Sequence, residues 1–183
     1  MSAVAEKIKL VILDVDGVLT DGLLYYTAEG EVMKSFQARD GLGLRLLLEH
    51  GVEVALITGR TSKLVAARAK ELKIKHVYQG RVNKLEALNE LMEVLEIDLS
   101  EVAFMGDDII DLPILSRVGL AAAPKNGHPL VMDHVQFVSK YKGGRGAVRE
   151  LCDLILMAQN KLAPILKNTL EAGALFHEAK SSC

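Results

Sequence analysis

Lys9-Leu-Val-Ile-Leu-Asp14-Val-Asp16-Gly17 decides the fold: an almost wholly apolar run stops abruptly at two carboxylates and a glycine. A strand that is apolar at successive positions has no wet face, and strands of that kind belong to parallel sheets covered by helices on both sides. The same pattern returns along the chain. Val52 to Ile57 ends at Thr58-Gly59, Val102 to Met105 at Gly106-Asp107, Val118 to Ala122 at Pro124, and Val135 to Val138 closes the series. Helical stretches are expected between them, over Leu42 to His50, Ser62 to Leu72, Lys84 to Leu95 and Asp108 to Arg117. Strands alternating with helices predict an α/β fold, a doubly wound, Rossmann-like parallel sheet with helices on both faces. Such sheets bind ligands beyond the carboxyl ends of their strands, where the polar residues of this chain collect.

Composition narrows the function. The 183 residues carry 22 basic and 24 acidic side chains, a net charge of -2, and half are apolar. That balance excludes global disorder and gives no basic footprint for nucleic acid or an anionic membrane surface. Cys152 and Cys183 make neither a disulfide framework nor a metal-binding pair, which suits a reducing, cytoplasmic setting. No leader-like opening and no run long enough to span a bilayer is expected, since Asp14 and Asp16 interrupt the first apolar stretch.

Two segments depart from the alternation. Leu23 to Thr27 and Glu31 to Phe36, joined by Ala28-Glu29-Gly30, predict an inserted β-hairpin. Leu24 and Tyr26 fall on one face and Leu23 and Tyr25 on the other, so it needs a partner, either its own domain or another subunit. After the strands, Lys142-Gly-Gly-Arg145-Gly146 is a glycine-rich loop that precedes an amphipathic helix from about Ala147 to Lys161. Pro164 predicts a break. Residues 1–163 are then one domain and 164–183 a tail, either helical with Ile165, Leu166, Leu170 and Ala174 on a stripe, or disordered.

The chemistry lies at the strand ends. Asp14 and Asp16 alone can be turn caps, and Asp107, Asp108 and Asp111 alone can be an acidic helix start. Together they gather carboxylates at one sheet edge, where repulsion calls for a cation. An all-oxygen donor set favours a hard ion such as Mg²⁺. Gly17 lets the backbone approach a ligand. Thr58, Gly59 and Arg60 offer a hydroxyl, an unhindered N–H and a guanidinium suited to a phosphate. Lys84 opens a helix within reach of the carboxylates, although surface lysines are common.

Asp14-Val-Asp16-Gly17, Thr58, Lys84 and Gly106-Asp107-Asp108 with Asp111 resemble, in order, the four motifs of the haloacid dehalogenase superfamily. Thr20-Asp21-Gly22, Arg39-Asp40-Gly41, Thr58-Gly59-Arg60 and the Gly143 to Glu150 stretch are similar to its capless 3-deoxy-D-manno-octulosonate 8-phosphate phosphatases, over about Lys7 to Leu162. The resemblance implies a Mg²⁺-dependent phosphoric monoester hydrolase of lipopolysaccharide precursor synthesis. Asp14 would be the nucleophile and Asp16 the acid and base. Asp14, the Asp16 carbonyl and Asp107 would hold the metal, with Asp108 and Asp111 behind them. Thr58 and Lys84 would bind the phosphoryl oxygens, while Gly17, Thr20, Gly59, Arg60, Arg68, Lys84 and Arg145 would contact substrate. It also implies a homotetramer whose C-terminal region reaches a neighbouring site.

Other readings compete. A receiver domain combines an acidic pair, a phosphorylated aspartate, a threonine and a lysine on a similar sheet, but carries its phosphoacceptor after the third strand. A non-catalytic scaffold of the same superfamily has no need of Asp14, Asp16 and Lys84 together. Within the enzymes, a phosphatase for a nonulosonate 9-phosphate shares the chemistry at Asp14, and Arg60 favours the octulosonate substrate through the resemblance.

Overall fold

A computed structural model describes residues 2–181. The elements run α1 (Ser2–Ala5), β1 (Leu10–Leu13), β2 (Tyr25–Thr27), β3 (Gly30–Met33), α2 (Ala38–Glu49), β4 (Glu53–Ile57), α3 (Lys63–Glu71) and β5 (His76–Tyr78). They continue with α4 (Lys84–Leu95), β6 (Val102–Met105), α5 (Leu112–Leu115), β7 (Leu120–Ala123), α6 (Pro129–Met132), β8 (Phe137–Val138), α7 (Ala147–Ala158) and α8 (Leu162–Ser181). Six strands form one sheet in the order β5-β4-β1-β6-β7-β8, and every pairing is parallel.

The two core clusters follow from strand alternation. Val11, Leu13, Val54, Leu56, Ala103 and Met105 pack with α2, α3 and α7 on one face. Leu10, Ile12, Ala55, Ile57, Val102 and Phe104 pack with α4, α5 and α6 on the other. β1 lies between β4 and β6, where the chain's winding reverses, so its carboxyl end opens into the crevice that such sheets use for ligands.

The departures from the sequence reading have local causes. β5 was not expected because it is a half-buried strand of three residues, without the apolar run that marks the others. α2 begins at Ala38, four residues before the predicted start, with Gln37 as N-cap; Gly41 and Gly43 weaken the helical pattern there. The predicted helix over Asp108 to Arg117 is a 3₁₀ turn at Ile109–Asp111 followed by α5, which carries Pro113 in its first turn. The hairpin strands are shorter than predicted and shift register between Tyr25 and Tyr26.

At the C-terminus α8 runs over Leu162–Ser181. The break precedes Pro164: α7 ends at Ala158, Asn160 takes a positive φ of 56°, and Pro164 sits in the first turn of α8, where an N–H is not required. Ile165 packs on the core, while Leu166 and Leu170 are exposed. The side chain of Ala174 and all of Cys183 lie outside the described residues. Cys152 is buried, and desolvation raises its thiol pKa far above the ordinary value. Among the described residues no helix is long and apolar enough to cross a membrane.

Candidate active site

The β1 strand delivers Asp14 to the sheet edge, and its N–H donates to Met105 O at 3.0 Å, continuing the parallel ladder into the site. The chain then turns at Gly17, with φ of 97°, and a Cβ built there would lie 2.0 Å from Oδ2 of Asp107. Only glycine lets the first acidic loop close on the second. Thr20 is buried beneath this turn and its Oγ1 accepts from the N–H groups of Gly17, at 3.3 Å, and Gly22, at 3.2 Å.

Lys84, first residue of α4, is buried, with Nζ 2.8 Å from Asp14 Oδ1 and 2.6 Å from Asp111 Oδ1. Asp111 is fully buried, and its Oδ2 accepts from the N–H groups of Asp107, at 3.0 Å, and Asp108, at 3.3 Å. Asp111 thereby ties the lysine to the loop after β6. Asp108 caps the 3₁₀ turn by accepting from Ile109 N at 2.7 Å.

Asp14, Asp107 and Asp111 each place a carboxylate oxygen within 4.8 Å of the others. Burial raises the Asp14 carboxyl to about 6; attraction to Lys84 opposes the rise and repulsion from Asp111 adds to it. Burial, followed by repulsion from Asp14 and Asp111, raises Asp107 to about 7. In Lys84 burial favours the neutral amine, but attraction to Asp14 and Asp111 overrides it and raises the ammonium's pKa. One lysine thus leaves negative charge uncompensated, and the oxygen-only donors fit a hard divalent cation.

Thr58 directly follows β4, is buried, and its Oγ1 accepts from Arg60 N at 3.4 Å. Asp14, Asp16, Thr58, Gly59, Arg60, Lys84, Asp107 and Asp108 line one cleft of about 140 Å³. Most of the sequence-predicted residues therefore meet at one place; Gly17, Thr20 and Asp111 do not line the cleft but hold the loops that do. Two predicted substrate contacts lie outside it in the single chain. Arg68 pairs with Glu71 at 2.9 Å and stacks 5.9 Å from the Phe36 ring centre. Arg145, well exposed, pairs with Asp21 at 3.3 Å. Its glycine loop packs on its own chain, where a Cβ on Gly143 would lie 1.7 Å from Gly17 O.

Three residues linked in a chain to Asp16 escaped the sequence reading. Lys34 donates to Asp16 Oδ1, Glu31 lies 3.0 Å from Lys34, and Ser62 donates to Glu31. Burial would lower the Lys34 ammonium, but its bonds to Asp16 and Glu31 outweigh burial and raise its pKa. Their only sequence signal is a Glu and a Lys spaced i,i+3 in a hairpin, which also describes many solvated surfaces. Asp40, in the Arg39-Asp40-Gly41 motif, works at a distance from the cleft: its carboxylate accepts from Gly146 N at 3.3 Å and Arg149 N at 2.8 Å, the free amides at the start of α7.

Residues 74–151 match the family model described as haloacid dehalogenase-like hydrolase. Over 160 residues the chain is 52% identical to the 3-deoxy-D-manno-octulosonate 8-phosphate phosphatase KdsC of Escherichia coli strain K12, covering 87% of this chain and 85% of that one. The chain belongs to this phosphatase family of haloacid dehalogenase-like hydrolases. Solved structures of the octulosonate phosphatase family agree in shape. The Yersinia pestis enzyme superposes with a TM-score of 0.87 at 49% identity, covering 88% of each chain. The Moraxella catarrhalis 3-deoxy-D-manno-octulosonate 8-phosphate phosphatase, solved in complex with a magnesium ion, a phosphate ion and a KDO molecule, gives 0.89 at 42% identity, covering 92% of this chain and 97% of that one.

Proposed function

We propose that the protein is a Mg²⁺-dependent phosphatase that hydrolyses 3-deoxy-D-manno-octulosonate 8-phosphate to the free sugar acid and phosphate, in lipopolysaccharide precursor synthesis in the cytoplasm. The observation that carries this reading is the cluster at the end of β1, where Asp14 meets Lys84 at 2.8 Å beside Asp16, Thr58 and Asp107. The Moraxella catarrhalis relative, with magnesium, phosphate and a sugar acid bound, supports the metal and substrate assignments.

In this mechanism the Asp14 carboxylate attacks phosphorus in line and becomes an aspartyl phosphate, splitting one displacement into two. Asp16 gives a proton to the leaving sugar oxygen as the P–O bond breaks, then takes one from the water that hydrolyses the aspartyl phosphate. Lys84 and Thr58 hold the equatorial phosphoryl oxygens, and Asp111 keeps Lys84 aimed at them. Asp14, Asp107 and the backbone carbonyl of Asp16 would hold Mg²⁺, with Asp108 and Asp111 orienting that set. The bound ion supplies positive charge that neutralises the carboxylates and the phosphate together. Gly59 leaves room for the phosphate, while Arg60 at the cleft mouth provides a cation for the sugar acid.

Arg68 and Arg145 lie outside the cleft within one chain; Arg68 is kept as a substrate contact, and the role of Arg145 belongs to a homotetramer in which a neighbour's C-terminal region reaches the site. Exposed Leu23, Leu24, Val32 and Met33 on the hairpin support such an assembly. Light scattering should give four chains per particle; a monomer at micromolar concentration would remove the assembly. The substrate is tested by phosphate release from octulosonate 8-phosphate and nonulosonate 9-phosphate, with Mg²⁺ and with EDTA. The octulosonate should give the higher kcat/KM and lose its turnover in EDTA, whereas a preference for the nonulosonate would overturn the assignment.

A further inference from the structure

The hairpin sends to Asp16 one side chain for which none of the catalytic motifs accounts. Lys34 directly follows β3, and its side chain is only 1% exposed. Its ammonium donates to Oδ1 of Asp16 and lies 3.0 Å from Oε1 of Glu31. The other oxygen of Glu31 accepts from the hydroxyl of Ser62, the N-cap of α3. A lysine needed only for solubility would keep its ammonium in water. Here a long side chain is ordered and its charge stripped of solvent, which is tolerable only because two carboxylates hold it.

Among the described residues Asp16 has little else to fix it. Its second oxygen has Arg60 Nε at 3.6 Å, beyond hydrogen-bond distance, on a side chain that is 41% exposed. We propose that Lys34 is a positioning residue of the reaction, holding the Asp16 carboxylate at the cleft mouth so that the hairpin helps to set where the leaving oxygen meets its proton donor. The inference rests on the acid–base role proposed for Asp16. Lys34 touches no reacting atom. Because it occupies Oδ1, Oδ2 is the oxygen that carries the proton to the leaving group, and the proton moves to that group as the bond to phosphorus breaks and the bond to Asp14 forms. Glu31 and Ser62 anchor Lys34 in turn, coupling hairpin, α3 and acid–base group.

The test is kcat/KM on p-nitrophenyl phosphate and on an alkyl phosphate such as glycerol phosphate, since this ratio counts the steps through loss of the leaving group. A nitrophenolate departs without being protonated, whereas an alkoxide needs its proton. Lys34→Met should lose about 10- to 100-fold on the alkyl phosphate, within the range a general acid supplies, and several-fold less on the aryl one. Lys34→Arg should restore much of the difference, because a guanidinium can still bridge Asp16 and Glu31. A thermal melt checks that both variants fold. Equal losses on the two substrates, or alkyl turnover at the wild-type level, would overturn the proposal. So would an Asp16→Asn enzyme as fast as wild type on alkyl phosphates, because it would remove the acid–base role itself. Wild-type enzyme that turns over glycerol phosphate but not the octulosonate would refute only the substrate assignment, and the Lys34 comparison would still be decisive.

Discussion

The carboxyl edge of the sheet lines the cleft and the hairpin contacts its residues Asp16 and Arg60, and the two hold their groups in different ways. At the edge, Asp14, Thr58 and Lys84 are buried, and the backbone positions them: parallel ladders fix β1, β4 and β6, and the loops after them are tied by Asp111 and closed over Gly17. In the hairpin, two short strands meet with a register shift, leave Tyr26, Val32 and Met33 exposed, and connect to Asp16 and Ser62 through the side chains of Lys34 and Glu31. Arg60 lies 5.5 Å from the Tyr26 ring centre, a second side-chain bridge between the regions. In the proposed mechanism the nucleophile and the groups that hold phosphate and metal thus sit on rigid backbone, while the residue proposed to position the proton donor sits on an element docked through its side chains. Substitutions of Asp14 and of the groups that hold the phosphoryl oxygens and the metal should therefore damage every substrate alike, whereas those that act through Asp16, Arg60, the hairpin or the glycine loop should depend on the substrate.

The largest effect expected is at the edge. Asp14→Asn should leave the fold intact and reduce turnover on aryl and sugar phosphates to below about 1% of wild type, given the several kcal/mol a nucleophile contributes. Steady-state rates on both substrates check this, and residual activity on only one of them would break the comparison. Gly17→Ala comes next. A methyl group there would displace Asp107 and strain a backbone with positive φ, and a misplacement near 1 Å costs roughly 100-fold in rate. The same loss on both substrates is predicted, together with a higher Mg²⁺ concentration for half-maximal rate.

A smaller effect concerns stability. Asp14 and Asp107 titrate near 6 and 7, above the ordinary carboxyl value, so the folded cation-free protein binds protons more tightly than the unfolded chain. Between the ordinary carboxyl pKa and these raised values the unfolded state binds fewer protons, and stability falls as pH rises. A cation should offset this loss. Thermal melts with and without Mg²⁺ should show a larger stabilisation at about pH 8 than at about pH 5.5. An equal shift at both would mean that the carboxylates are not what the ion neutralises. The smallest effect belongs to Arg145→Ala: a several-fold loss on the sugar acid phosphate and almost none on p-nitrophenyl phosphate, measured as kcat/KM. Equal losses would move Arg145 to phosphate binding or folding.

The same contrast explains what the chain made legible. Leu10–Leu13 and Val102–Met105 are apolar throughout because helices cover both faces, so pattern alone located the central strands and the acidic residues at their ends. Lys84 could be assigned only through the resemblance, since spacing does not reveal that Asp14 and Asp111 receive it. β5 and the one-turn helix α6 are too short to impose a period. Lys34 stayed hidden because its significance lies in a contact across 18 positions, made by the side chain of a half-exposed ribbon.

The central claim is that Asp14 carries the phosphoryl group. Wild-type enzyme mixed with octulosonate 8-phosphate and Mg²⁺, quenched in acid within the first turnovers and digested for mass spectrometry, should yield a peptide spanning Asp14 that is heavier by one phosphoryl group. The Asp14→Asn protein should yield none. Rapid wild-type turnover with no phosphorylated peptide at any quench time, or the added mass on a peptide lacking Asp14, would contradict the account.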